Sequence, residues 1–433
     1  MWSNISHAFQ WKGELPRFYR FKQSFPRPRV TDIPAAVAQA LINIDNRIPD
    51  LKQKRVAISA GSRGISEIAA ITAALVSCLR DRGAQPFIVP AMGSHGGGTA
   101  EGQRGMLAEL GMTEVSLGAP IISSLDTVEL GHLPNGMPVY LDQHAAEADA
   151  IVIVNRVKPH TDFVGDFESG LAKMAAIGLG KLRGADTLHR YGVDGLLHLV
   201  PAAARLICQH TPVIFGLASV ENAYHEVAEI AAIPPEGIAG PQERDLLQLA
   251  YRLMPRFPFP EIDVLIVDEM GKNISGVGMD PKIIGRVKVH GVPDLADCSI
   301  RTIAVLRLTP EAHGNASGIG LADVTTQHLV NQIDFEATYL NCITSGITGI
   351  QRAFLPMVAP TDRAAIETAL RVCGRADLRE ARVVRIQNTL SLGEIDISSA
   401  LVQEIPSGVA PSTIFNLSFD SNDNLSPFTS PAH

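Results

Sequence analysis

The chain is poor in the features that mark several large protein classes. Its five cysteines, Cys78, Cys208, Cys298, Cys342 and Cys373, are odd in number, far apart and without a Cys-x-x-Cys pair. That pattern argues against a zinc knuckle or a disulfide framework. No apolar run reaches the ~18 residues of a spanning helix. The first residues, Met1 to His7, lack the basic start and apolar stretch of a secretory leader. A cytoplasmic location is the expectation. Basic residues are not in excess: 37 Lys and Arg face 45 Asp and Glu, a formal net charge of −8. Such a balance leaves no extended positive surface for nucleic acid or an anionic membrane, and neither is expected as a partner. No internal repeat is found.

What is present is the make-up of a core-forming globular protein, 433 residues long, 46% hydrophobic and 19% charged. A chain of this length corresponds to roughly two to three domains. Apolar runs alternate with stretches of helical period. Arg55 to Ala60, Gln85 to Pro90, Ala150 to Asn155 and Val213 to Ser219 read as strands. Ser66 to Arg82 and Thr99 to Leu110 read as helices between them. Strands this apolar are covered on both faces. The fold class expected is α/β, with two α/β domains whose mostly parallel sheets are flanked by helices.

Prolines crowd residues 233 to 260, and Ile262 to Val267 then opens a new strand. We place the boundary there, giving a first domain over 1–258 and a second over 259–433. In the second, Thr302 to Leu308 and Arg382 to Ile386 read as strands, and Asp323 to Ile333 and Asp362 to Cys373 as helices. From about 421 the chain is polar and is expected to fray.

In open α/β sheets, ligands bind beyond the carboxyl ends of the strands. Three polar segments occupy such places: Gly61-Ser62-Arg63, the glycine-rich Gly93 to Gly98 with His95, and Lys158-Pro159-His160. Arg63, His95 and His160 are therefore expected to converge. Glycines let a backbone approach a ligand, and Thr99 is a candidate N-cap for the helix that follows. A structural turn with one histidine explains that segment equally well. His160 likewise reads as a core histidine satisfied by Asp162 or by a carbonyl. Downstream, Ser169-Gly170-Leu171-Ala172-Lys173 sets one lysine among small apolar residues, where an amine is costly unless paired, snorkelling or covalently used. His189 follows sixteen residues later. Asp268 and Glu269 read as solvated loop carboxylates. His225, His290, His313 and His328 have no mutual ligand spacing.

Taken together and in order, Gly93-Ser94-His95-Gly96-Gly97-Gly98-Thr99-Ala100-Glu101, Pro159-His160, Ser169 to Lys173 and His189 resemble the nickel-dependent lactate racemase family. The resemblance spans roughly residues 50 to 290. It implies two α/β domains with the active site in the cleft between them. It also implies a nickel-pincer nucleotide, a pyridinium mononucleotide with two sulfur-bearing arms, bound covalently to a lysine. Carried over by motif, Lys173 is the attachment lysine, His189 the nickel ligand, and His95 and His160 the acid/base pair. Ser62, Arg63, Ser169 and Gly170 would hold the cofactor, with Arg63 also toward substrate. The expected activity is a racemase or epimerase acting on an α-hydroxy acid. Its partners would be that small molecule and, transiently, the cofactor-synthesis enzymes, with a homo-oligomer left open.

The residue types suit that chemistry. Inversion requires a base on each face of the reacting carbon, with a pKa near working pH, and histidine meets this unperturbed. Nickel is well served by imidazole and sulfur donors. Departures from the family concern the first loop, which has Ala60 where the racemases place an acidic residue, and a longer His160 to Ser169 spacing, expected to bulge. Met270 to Asp280 replaces the Tyr-Gln and Lys cluster that grips lactate. Lys272, Asn273 or Lys282 would then bind the carboxylate, and a substrate other than lactate is expected. Two alternatives keep the same cleft: an oxidoreductase or dehydratase, and a non-catalytic hydroxy-acid-binding protein.

Overall fold

The computed structural model describes residues 13–62, 64–295, 298–405 and 412–428. The chain divides into two compact units, Pro26–Met254 and a second that joins the N-terminal segment to Pro255 onward. Strand β1 (Phe18–Lys22) belongs to the second unit, which corrects the expectation that the first domain begins at residue 1. The reason is pairing: β1 lies between two strands of the C-terminal sheet, buries Phe18, and sets the Arg20 Nε 2.7 Å from Asp396 Oδ1.

In Pro26–Met254, β2 (Arg55–Ala60), β3 (Gln85–Pro90), β6 (Ala150–Arg156), β7 (Val213–Glu221) and β8 (Val227–Ile233) form one sheet in the order β3-β2-β6-β7-β8. The first four run parallel, and β8 returns antiparallel to β7. Strands β4 (Thr127–His132) and β5 (Pro138–Asp142) make a separate hairpin. Alternation within the strands feeds two cores. Ala57, Phe87, Ile151 and Ile153 pack on one side, and Val56, Ile58, Ile88, Val152 and Val154 on the other. The helix Ile68–Asp81 buries Ile68, Ile71, Leu75 and Leu79 at helical spacing against the second core, and Val200–His210 buries Ala203, Ala204 and Ile207 against the first. Both faces of the sheet are thereby covered, as its unbroken apolar runs require.

The second unit contains β9 (Glu261–Met270), β10 (Ser299–Leu308), β11 (Val324–Thr326), β12 (Met357–Ala359), β13 (Val383–Ile386), β14 (Glu394–Ser398) and β15 (Ile414–Phe415). With β1 they form a sheet in the order β12-β11-β10-β9-β13-β14-β1-β15. The run from β12 to β13 is parallel, while β14, β1 and β15 are antiparallel.

Three expectations are corrected here. Asp323 to Ile333 is not one helix: the β-branched Val324, Thr325 and Thr326 are buried as β11, with the threonine hydroxyls donating to Val305 and Leu306 carbonyls, and helix runs only over Gln327–Asn331. Asp268 is not a solvated carboxylate. It is buried and takes both arms of the equally buried Arg385 at 2.8 and 2.6 Å. Residues 421–428 are docked rather than frayed, since Leu425 is buried, its N–H bonds Asp362 Oδ2 at 2.8 Å, and Asp423 pairs with Arg363. Among the described residues no helix is long and apolar enough to cross a membrane.

Candidate active site

Ser62, His95 and His160 follow the carboxyl ends of β2, β3 and β6, which are adjacent in the sheet, so topology alone sets their loops side by side. The Ser62 Oγ lies 2.5 Å from His95 Nδ1, which ties the first two loops together. His95 sits in a glycine turn that only glycines can make. Gly93, Gly96, Gly97 and Gly98 all have φ between +58° and +67°. A Cβ on Gly102 would fall 2.0 Å from the Gly96 oxygen, so the turn is pressed onto the following helix. Thr99 caps that helix, accepting the Gly102 N–H at 3.0 Å, and the buried Gln103 donates to the Gly93 carbonyl at 3.1 Å.

The loop carrying His160 is closed at its neck, where Lys158 and Ser169 exchange backbone hydrogen bonds of 2.8 and 3.2 Å. Buried Glu168 organises the interior. Its carboxylate accepts the His160 N–H at 2.5 Å, the Gly165 N–H at 3.1 Å and the Tyr251 hydroxyl at 2.8 Å. Phe163 stacks on the His160 ring with centroids 4.5 Å apart. The extra residues between His160 and Ser169 are thus spent on an internally bonded loop that fixes the imidazole.

Lys173 is placed by the turn Leu171–Lys173, which runs into a π-helical turn over Met174–Gly178 and then the helix Lys181–His189. Such π turns recur at functional sites because they re-aim side chains within a helix. Glu243 caps the start of this segment, accepting the Ala172 N–H at 3.0 Å and the Ala239 N–H at 2.8 Å. Its approach depends on Gly170, where a Cβ would come within 2.3 Å of Glu243 Oε1. Asn155 Nδ2 holds the Gly170 carbonyl at 2.7 Å. Burial pushes the Glu243 carboxyl up from its ordinary value, opposed by the backbone N–H groups of Ala239, Ala172 and Leu171.

The centre of the site is the contact between Lys173 Nζ and His160 Nε2 at 2.6 Å. His160 Nδ1 accepts the Asp162 backbone N–H at 3.1 Å. An uncharged imidazole has one acceptor nitrogen. Which atom donates in the contact with Lys173 Nζ depends on the imidazole tautomer. His189 shares this environment: burial first, then a positive charge on Lys173, hold it below its ordinary pKa, against the pull of Asp162 and Asp186. Both causes favour the neutral imidazole, whose lone pair is the form a metal takes.

The structure therefore brings His160, Lys173 and His189 into one cluster and pairs Ser62 with His95. Arg63 lies outside the described residues. Ser169 serves through its backbone at the loop neck, and Gly170 through its missing Cβ. Lys272, Asn273 and Lys282 belong to the other unit. There Lys272 Nζ donates to the Gly276 carbonyl at 2.6 Å and to Asn341 Oδ1, and Asn273 Oδ1 accepts from Thr309 Oγ1 at 2.7 Å. Both close the loop after β9. Lys282 lies in the short helix Pro281–Ile284, its N–H donated to Asp280 Oδ1. Sequence reasoning missed Glu168, Tyr251 and Glu243, which have no motif; Glu243 is an ordinary-looking residue in a proline-started helix. Among the described residues no group of three or more His, Cys, Asp or Glu could hold a metal on its own.

The class is a parallel α/β layer whose strand-end loops carry His95 and His160, the latter in contact with the half-buried Lys173. Residues 36–194 match the family model of the lactate racemase N-terminal domain. No curated protein matches the chain. Two solved structures are similar to it. The lactate racemase apoprotein from Thermoanaerobacterium thermosaccharolyticum shares 14% identity over 86% of this chain and 99% of that one, with a TM-score of 0.49. A protein from Thermotoga maritima shares 15% identity over 76% and 83%, with a TM-score of 0.48.

Proposed function

We propose that this protein is a racemase or epimerase of an α-hydroxy acid other than lactate, working with a nickel-pincer nucleotide fastened to Lys173. The observation that carries the reading is the 2.6 Å contact of Lys173 Nζ with His160 Nε2. It sets the amine that would carry the cofactor beside an imidazole able to move a proton.

The residues fit the group. Lys173 supplies the tether and His189, kept neutral by burial, one nitrogen donor to nickel. The remaining donors would be the sulfur-bearing arms of the cofactor. When bound, the cofactor supplies the hydride acceptor for the substrate's Cα. His160 takes the hydroxyl proton of one enantiomer, and His95, oriented through Ser62, serves the opposite face. Glu168 and Asp162 hold the His160 loop and ring in place, with Nε2 turned to Lys173. Within the same unit, Arg63 is the candidate partner of the carboxylate. Expression with the cofactor-synthesis enzymes, followed by elemental analysis and the mass of the Lys173 peptide, tests the reading. Nickel with an added mass on that peptide is the expected result, and an unmodified Lys173 with no nickel refutes it.

A further inference from the structure

Sixteen large hydrophobic residues are exposed among the described residues, and nine of them fall within positions 335–357. They line the helix Phe335–Thr344, the short helix Ile347–Ile350 and the approach to β12. Tyr339, Leu340, Ile343, Ile347, Ile350 and Phe354 are 49%, 63%, 70%, 47%, 46% and 63% exposed. Half-exposure of nine such side chains, the larger of which bury ~150–250 Å², amounts to about 800 Å². A typical monomer's largest apolar patch is only ~300–600 Å². About 800 Å² is what each partner contributes to a standard stable interface.

We propose that this face is a dimer interface with a second copy of this chain. Three features select that occupant. The area suffices for a stable complex without help from another surface. Charge is nearly absent: between 335 and 357 the only charged residues are Glu336 and Arg352, and Arg352 is buried with its Nε on the Val287 carbonyl at 2.9 Å. A partner chosen by charge has nothing to read there, whereas a two-fold contact sets the same uncharged patch against itself without repulsion. Among the described residues, strand β12 is also the outer strand of its sheet, paired there with β11 alone, with Met357 54% exposed on it. An unpaired edge of this kind is normally covered, and an identical edge approaching antiparallel matches it in length.

Sedimentation of the full chain over about 1 to 100 μM is expected to give twice the mass of one chain. The substitution Ile343→Asp is expected to give the monomer mass with an unchanged circular dichroism spectrum, while Val115→Asp, at a 93% exposed site of the other unit, leaves the dimer intact. A wild-type monomer throughout, or a dimer that survives Ile343→Asp, overturns the proposal. Should the variant fail to fold, hydrogen exchange of the wild-type chain decides. Protection of 335–357 that rises with concentration supports the interface, and protection independent of concentration refutes it.

Discussion

His160 is held at both ring nitrogens, by the Asp162 N–H at Nδ1 and by Lys173 Nζ at Nε2, 2.6 Å away. The amine's reactivity is thereby coupled to this imidazole. His160→Ala removes the contact, and the rate of Lys173 acetylation by acetic anhydride near neutral pH, read from the peptide mass, should change. An unchanged rate would show that the contact does not govern the amine.

Ser62 and His95 form a second coupled pair. In the loaded enzyme, His95→Ala should lower kcat by about 10²- to 10⁴-fold, the usual worth of a positioned acid or base. Ser62→Ala loses only a hydrogen bond of about 1 kcal/mol and should cost roughly fivefold. Measuring the two rates side by side separates a reacting group from the residue that orients it.

Gly170→Ala tests the cap on the lysine turn. The new Cβ would meet Glu243 Oε1 at 2.3 Å, so the carboxylate or the turn must move. A loss of about 1–3 kcal/mol in urea unfolding is expected, together with a changed acetylation rate at Lys173.

Glu243 also predicts a pH dependence. Its carboxyl is raised by burial, so the folded chain binds that proton more tightly than the unfolded chain does. Its stabilising contribution is complete below the unfolded-state value and is lost as pH rises through the folded-state value. Urea midpoints of the wild type should decline as pH rises above the ordinary carboxyl range, and Glu243→Gln should flatten that decline.

Substrate choice is tested with a panel of D- and L-hydroxy acids. Lactate is expected not to be the fastest, because Met270 to Asp280 lacks the side chains that grip it in the racemases and instead binds Lys272 and Asn273 into its own loop. Lactate turning over fastest would refute this.

The amino-acid order by itself determined the buried parallel strands and the strand-end loops with Ser62, His95 and His160. Unbroken apolar runs admit only a sheet covered on both faces, and ligand loops follow from that topology. It also singled out Lys173 as an amine out of place among small apolar neighbours. Tertiary structure decided the rest. Glu168, Tyr251 and Glu243 act through backbone N–H groups and hydroxyls brought to them from distant segments, as at Ala172, 71 residues from Glu243. Periodicity in one helix cannot announce such a partner. For the same reason β1 joined the far sheet and Asp268 found Arg385: edge pairing and buried charge are settled by what arrives from elsewhere in the chain, and local sequence does not encode it.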